Sequence, residues 1–175
     1  MPPNKPLEPA SAAAALAAQG QRRWTNRSVP TGYRLVVRSP LDVVRAFIAR
    51  AAEKAQMSFE GDLSQCDLAR LDGVSVEATD TLPRTTTFPR LDYAVVPLTP
   101  SNRAQLVRSE LPRMGLRRRV IHLQIVDAGV LWFGAYDNFH PECVVCDESV
   151  PLDLLQLLQR DGHLRSFSRI EWSSN

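Results

Sequence analysis

The sequence predicts an α+β domain, a mixed, mainly antiparallel sheet with two to three packed helices. Three observations carry this: apolar–polar alternation that starts at Tyr33, three amphipathic stretches opening at Pro40, Pro100 and Pro151, and one clear hairpin between Val120 and Tyr136.

Tyr33, Leu35 and Val37 alternate with Arg34, Val36 and Arg38, the period of a half-buried strand. Ser39, Pro40 and Asp42 then supply a capping hydroxyl, a ring at the first helical position and an acid in the first turn, which together start a helix. Behind them Val43, Val44, Phe47, Ile48, Ala51 and Ala55 recur at three- and four-residue spacing, the stripe of a helix laid on a sheet. Met57 to Leu63 alternates again and is expected as a strand or extended rim. Leu68, Leu71, Val74 and Val76 around Asp72 and Gly73 suggest a short helix or turn leading into a strand.

Residues 79–90, with Pro83, Thr85 to Thr87 and Pro89, have the composition of a long exposed loop, and such loops often carry function. Leu91 to Leu98 reads as a buried strand. Thr99 and Pro100 start a second helix that runs to Gly115, with Leu106, Val107, Leu111 and Met114 inward. Val120–Val126 and Val130–Tyr136 form the hairpin through a three-residue turn, Asp127, Ala128 and Gly129, whose glycine takes the left-handed conformation. Cys143 to Cys146 is a short apolar strand, Pro151 to Arg160 a third helix closed by Gly162, and Phe167, Ile170 and Trp172 mark a last strand. The opening strand, helix and strand could form a split βαβ unit of the ferredoxin-like kind, with the hairpin added.

At 175 residues, 44% apolar and 23% charged, the chain has material for one core. Residues 32–175 are read as a single α+β domain. Residues 1–31 are read as a flexible basic Pro/Ala-rich tail, because their larger hydrophobes are only Leu7, Leu16, Trp24 and Val29. The net charge of +2 is too small to imply a polyanion partner, although residues 1–34 carry +4 and the remainder −2. Three cysteines do not make a disulfide framework, so a reducing, cytoplasmic setting is expected. The Ala-, Ser-, Pro- and Arg-rich start leaves a transit or export leader as the alternative. Nowhere do about 18 apolar residues follow one another, so no membrane partner is expected.

Tyr136 to Glu142 concentrates polar chemistry in one loop. Its catalytic candidates are His140, Asp137 and Glu142, either as an imidazole base oriented by Asp137 or as two carboxylates on a hard cation. Turns select the same residue types, so a structural loop with Phe139 in the core accounts for the pattern more simply. His140, Cys143 and Cys146 lack a fourth ligand, and the two cysteines fall on opposite faces of a strand, so neither metal nor cofactor is expected. Glu60 and Asp62 share one face of their strand and, with Asp67 and Asp72, could hold magnesium, although solvated acids are commoner. No nucleophile sits on a glycine-flanked elbow, and the eight glycines form no phosphate loop. Arg117, Arg118 and Arg119, following Arg103, Arg108 and Arg113, could contact phosphates together with Arg22, Arg23 and Trp24 in the tail.

Exclusion leaves a non-catalytic protein-interaction module, an inhibitor, immunity-type or adaptor protein. It would bind its macromolecular partner through loops 79–90 and 136–142, with Arg84, Arg90, Tyr136, Asn138 and Phe139 as contacts. The alternatives are a hydrolase or nuclease using the His140 loop, and nucleic-acid binding by the arginine groups. Oligomeric state is not legible at this level.

Overall fold

A computed structural model describes residues 31–171 of the chain. Its strands are β1 (Thr31–Val37), β2 (Gln56–Gly61), β3 (Asp92–Pro97), β4 (Val120–Asp127), β5 (Val130–Ala135), β6 (Val144–Asp147) and β7 (Leu164–Glu171). The helices are α1 (Pro40–Arg50), α2 (Pro100–Gln105), α3 (Leu111–Met114) and α4 (Leu152–Arg160). A π turn, Leu106–Glu110, joins α2 to α3 without a break, and Leu68–Arg70 is a single 3₁₀ turn. All seven strands lie in one sheet, ordered β3-β2-β4-β5-β6-β1-β7, with every neighbouring pair antiparallel. The fold is α+β.

The alternation of each strand now has two meanings. Leu35, Val37, Met57, Phe59, Ala94, Val96, Leu123, Ile125, Phe133 and Cys146 point into one core, where the buried stripes of α1, the α2–α3 stretch and α4 meet them. Phe47 of α1 sits at its centre, with ring centroids 5.1 Å from Trp132 and 4.4 Å from Phe133. Burying such a ring contributes roughly 1.5–3 kcal/mol by transfer alone. The opposite face carries the small apolar cluster Leu82, Tyr93, Val95 and Val126, beside the buried polar residues Ser58, Glu60, His122 and Gln124.

Helix starts follow the local code in part, since the Ser39 hydroxyl expected to cap α1 makes no side-chain cap bond. Pro40 and Pro100 occupy the first turns of α1 and α2, and Thr99 Oγ1 accepts the Asn102 N–H at 3.2 Å. Arg103 then reaches back to the end of α1. Its guanidinium donates to the carbonyls of Ile48 at 3.0 Å in the last turn of α1, Ala52 at 2.5 Å just past it, and Leu98 at 2.6 Å ahead of α2.

Three expectations change. The β1–α1–β2 crossover is not a split βαβ unit of the ferredoxin-like kind, because β4, β5 and β6 separate β1 from β2. That unit occurs one step later, where α2 and α3 connect β3 to β4 around the antiparallel β2. Val74 and Val76 form no strand. Ser75 alone bridges Val95, exchanging backbone bonds of 3.0 and 2.7 Å along the outer edge of β3. Finally, the hairpin turn has two residues, since Asp127 already pairs with Val130 and both Ala128 (φ 49°) and Gly129 (φ 80°) are left-handed. This turn geometry favours Asn at its first position, where alanine is strained. Ala128→Asn is therefore expected to raise stability by about 0.5–1 kcal/mol, read as a higher urea midpoint at unchanged slope.

Thr31, the last residue of the proposed tail, is the first of β1, whereas residues 1–30, including Arg22, Arg23 and Trp24, and Trp172 of the expected last strand lie outside the described residues.

Candidate functional site: a loop braced over the sheet

Between the Ser75 bridge and β3 the chain crosses the second face of the sheet without regular structure. A loop has backbone groups to satisfy and little apolar surface to hold it, so its position must come from specific bonds. The first anchor is Leu82, wholly buried against Tyr93, Val95 and Val126. Tyr93 donates its hydroxyl to the Leu82 carbonyl at 2.6 Å, and the Leu82 N–H donates to Thr79 Oγ1 at 3.0 Å. Arg84 spans both limbs of the loop. It donates to the carbonyls of Leu91 at 3.0 Å and Val76 at 3.2 Å while its guanidinium carbon lies 4.5 Å from the Tyr93 ring centroid.

The deepest anchor is a carboxylate. Glu60, only 2% exposed, pairs across the ladder with Tyr93 of β3 and His122 of β4. One of its oxygens accepts the Thr85 N–H at 2.8 Å, the other the Thr86 N–H at 2.9 Å. Both oxygens of the carboxyl are thus occupied by successive backbone amides. His122 Nε2 lies 3.1 Å from Thr86 Oγ1, and Gln124 Nε2 donates to Thr85 Oγ1 at 3.2 Å. Three side chains from β2 and β4 thus grip two consecutive loop residues. Beyond the grip, Thr87, Phe88, Pro89 and Arg90 are exposed, Phe88 to 89%.

A threonine hydroxyl on an imidazole is also the geometry of a nucleophile and its base. Burial pushes the His122 imidazole below its ordinary range, against the raising effect of Glu60 and Asp137. Its Nδ1, however, is buried with no hydrogen-bond partner, so no acid orients the ring. The nearby amides of Thr85 and Thr86 are already taken by Glu60 and cannot receive an oxyanion. The arrangement fits a brace better than a reaction centre.

The second loop holds three consecutive left-handed residues, Asp137 (φ 50°), Asn138 (φ 55°) and Phe139 (φ 63°). Each costs roughly 1–2 kcal/mol in that region, so the surroundings must over-determine the turn. They do so through Phe139, 1% exposed in the main core, and Asn138, whose backbone N–H donates to Ile121 O at 3.0 Å and whose Nδ2 donates to Val120 O at 3.1 Å. His140 is exposed. Its Nδ1 accepts the Glu142 N–H at 3.4 Å and lies 3.9 Å from Cys143 Sγ, and Asp137 and Glu142 are both exposed beside it.

Several expected site residues are thereby reassigned. Tyr136 and Phe139 are buried and cannot touch a partner, because Tyr136 lies over the bare backbone of Gly134 and Phe139 fills the core. Arg84 is committed to the loop's own carbonyls, and Asn138 to the turn. Arg90 is exposed. Glu60 and Asp62 do not share a face. A register shift at Gly61 ends the ladder, and Asp62 emerges exposed, where bonds from Ser64 first, and then Arg119, hold its carboxyl below the usual carboxylate range. Among the arginines, Arg117 donates to the carbonyls of Val37 at 2.7 Å and Arg38 at 3.1 Å, Arg119 pairs with Asp62 at 3.2 Å, and Arg118 is exposed. Cys146 is buried in the core and Cys143 is part-buried, both as free thiols.

Among the described residues no group of three or more His, Cys, Asp or Glu side chains could hold a metal ion, and no helix is long and apolar enough to cross a membrane. Comparison with protein-family models, curated proteins and solved structures finds no match to this chain.

Proposed function

We propose that the chain is a protein-interaction module, an inhibitor, immunity-type or adaptor protein, which engages its partner with the tip of the 79–90 loop. The observation that carries this reading is Phe88, 89% exposed at the end of a loop whose base is fastened by Glu60, His122, Gln124 and Arg84. Aromatic and arginine side chains dominate binding energy at interfaces, and a large ring left in water is a contact waiting for a pocket. A loop already ordered in the free protein loses less entropy on docking than a flexible one. Phe88 is the anchor and Arg90 the polar neighbour, which together suit an apolar pocket with a carboxylate on its rim. Three free cysteines fit a reducing setting, so a cytoplasmic location belongs to the same proposal.

Phe88→Ala removes no internal contact of note and is expected to leave the unfolding midpoint unchanged. Its partner affinity should fall about 30-fold or more, the scale of a hot-spot truncation of roughly 2 kcal/mol. Capture from native extract with wild type, Phe88→Ala and the exposed control Arg118→Ala tests this. A partner held by wild type and by Arg118→Ala, and lost with Phe88→Ala, supports the reading, whereas one held equally by all three places the interface elsewhere. The exposed His140 and the mostly engaged Arg117–Arg119 group provide no comparable observation for hydrolysis or phosphate binding.

A further inference from the structure

We propose that two copies of this chain join edge to edge through β7, continuing the sheet across a twofold axis. The two borders of the sheet differ. On one, Ser75 bridges Val95 and occupies part of the outer edge of β3. On the other, β7 pairs with β1 along Thr31–Val37, and among the described residues nothing pairs its outer side. Eight residues of strand there present a row of N–H and C=O groups, which is a template for another strand.

The side chains of β7 say which strand. An antiparallel pairing centred on Ser168 sets Phe167 opposite Arg169 of the second copy and brings Arg165, the bulged residue of β7, beside its Glu171, and symmetry makes each of these contacts twice. The Arg165 contact is an ion pair; the other lays Arg169, which holds Glu148 of its own copy at 3.3 Å, beside Phe167, whose ring packs edge-on to Tyr33 at 6.0 Å. A slipped register that set Arg165 opposite Arg169 would juxtapose like charges and is disfavoured. These residues are exposed or only partly buried, so pairing need not disturb the fold. The contact is independent of the Phe88 tip.

The test is sedimentation velocity on the full chain over a range of concentrations. Wild type should show a reversible monomer–dimer equilibrium that Phe88→Ala leaves unaltered. Arg165→Glu and Glu171→Arg should each weaken dimerisation about tenfold or more, because each sets two like-charged pairs at the join. The double variant, with the charges exchanged, should restore it. Circular dichroism confirms that each variant is folded. A wild type that is monomeric throughout overturns the proposal, as do single variants that dimerise like wild type or a folded double variant that does not recover.

Discussion

Glu60→Ala is expected to destabilise the protein by about 2–4 kcal/mol, because it leaves the amides of Thr85 and Thr86 without their acceptor beneath a covered sheet face. The loss should be uneven. The main core on the helix side does not involve Glu60, so the 84–90 segment should loosen before the sheet does. Urea unfolding gives the global cost, and hydrogen exchange at Thr85 and Thr86 gives the local one. Glu60→Gln retains one carbonyl oxygen, can accept one of the two amides, and should fall between wild type and alanine. A wild-type midpoint together with undiminished amide protection in Glu60→Ala would remove the brace from the account. If the interaction reading is right, Glu60→Ala also weakens partner binding although it lies beneath the loop, since the tip must then be ordered on docking.

Gly61→Ala should cost at least about 3 kcal/mol. A Cβ at this position would stand 2.0 Å from the Arg119 carbonyl oxygen, which already accepts the Asp62 N–H at 2.9 Å, and the backbone there has φ 155°. Backbone cannot rotate away as a side chain does, so β2 and the entry to β4 must separate. The thermal midpoint measures the total effect. Because Glu60 is the preceding residue, its carboxylate should shift too, and exchange at Thr85 and Thr86 should accelerate in this variant as well. Acceleration confined to Asp62 would mean that the ladder absorbs the strain before it reaches the brace.

Much of the fold was legible because its signals are local. Pro40, Thr99–Pro100, Gly115 and Gly162 bound the helices by capping chemistry, and alternation in β1, β4 and β5 follows from a two-residue period. Sheet order was not legible, since nothing in Tyr33 to Val37 indicates that its neighbours will be β6 and β7. The candidate site was half legible for the same reason. Residues 79–90 stood out by composition, but Ser58 and Glu60 alternate with Met57 and Phe59 as solvent-facing residues would. The partners that cover Glu60 are Thr85 and Thr86, 25 and 26 positions further on. One local clue existed: Leu82, a large hydrophobe in a stretch of Thr, Asp and Pro, is the residue that plugs the loop into the sheet. Exposure was the hidden variable at the second loop, where Tyr136 and Phe139 have the types of contact residues and the positions of core residues.

The placement of β1 between β6 and β7 has a consequence for how the molecule is made. During synthesis the earliest strand of the sheet has no partner until β6 is complete, more than 100 residues later, and gains its second from β7. β2, β3, β4 and β5 can associate meanwhile as β3-β2-β4-β5, whose open β5 edge then takes β6, β1 and β7. Closing so long a span is entropically slow, so the nascent chain must keep an unmatched apolar strand from pairing wrongly until its proper neighbours emerge from the ribosome.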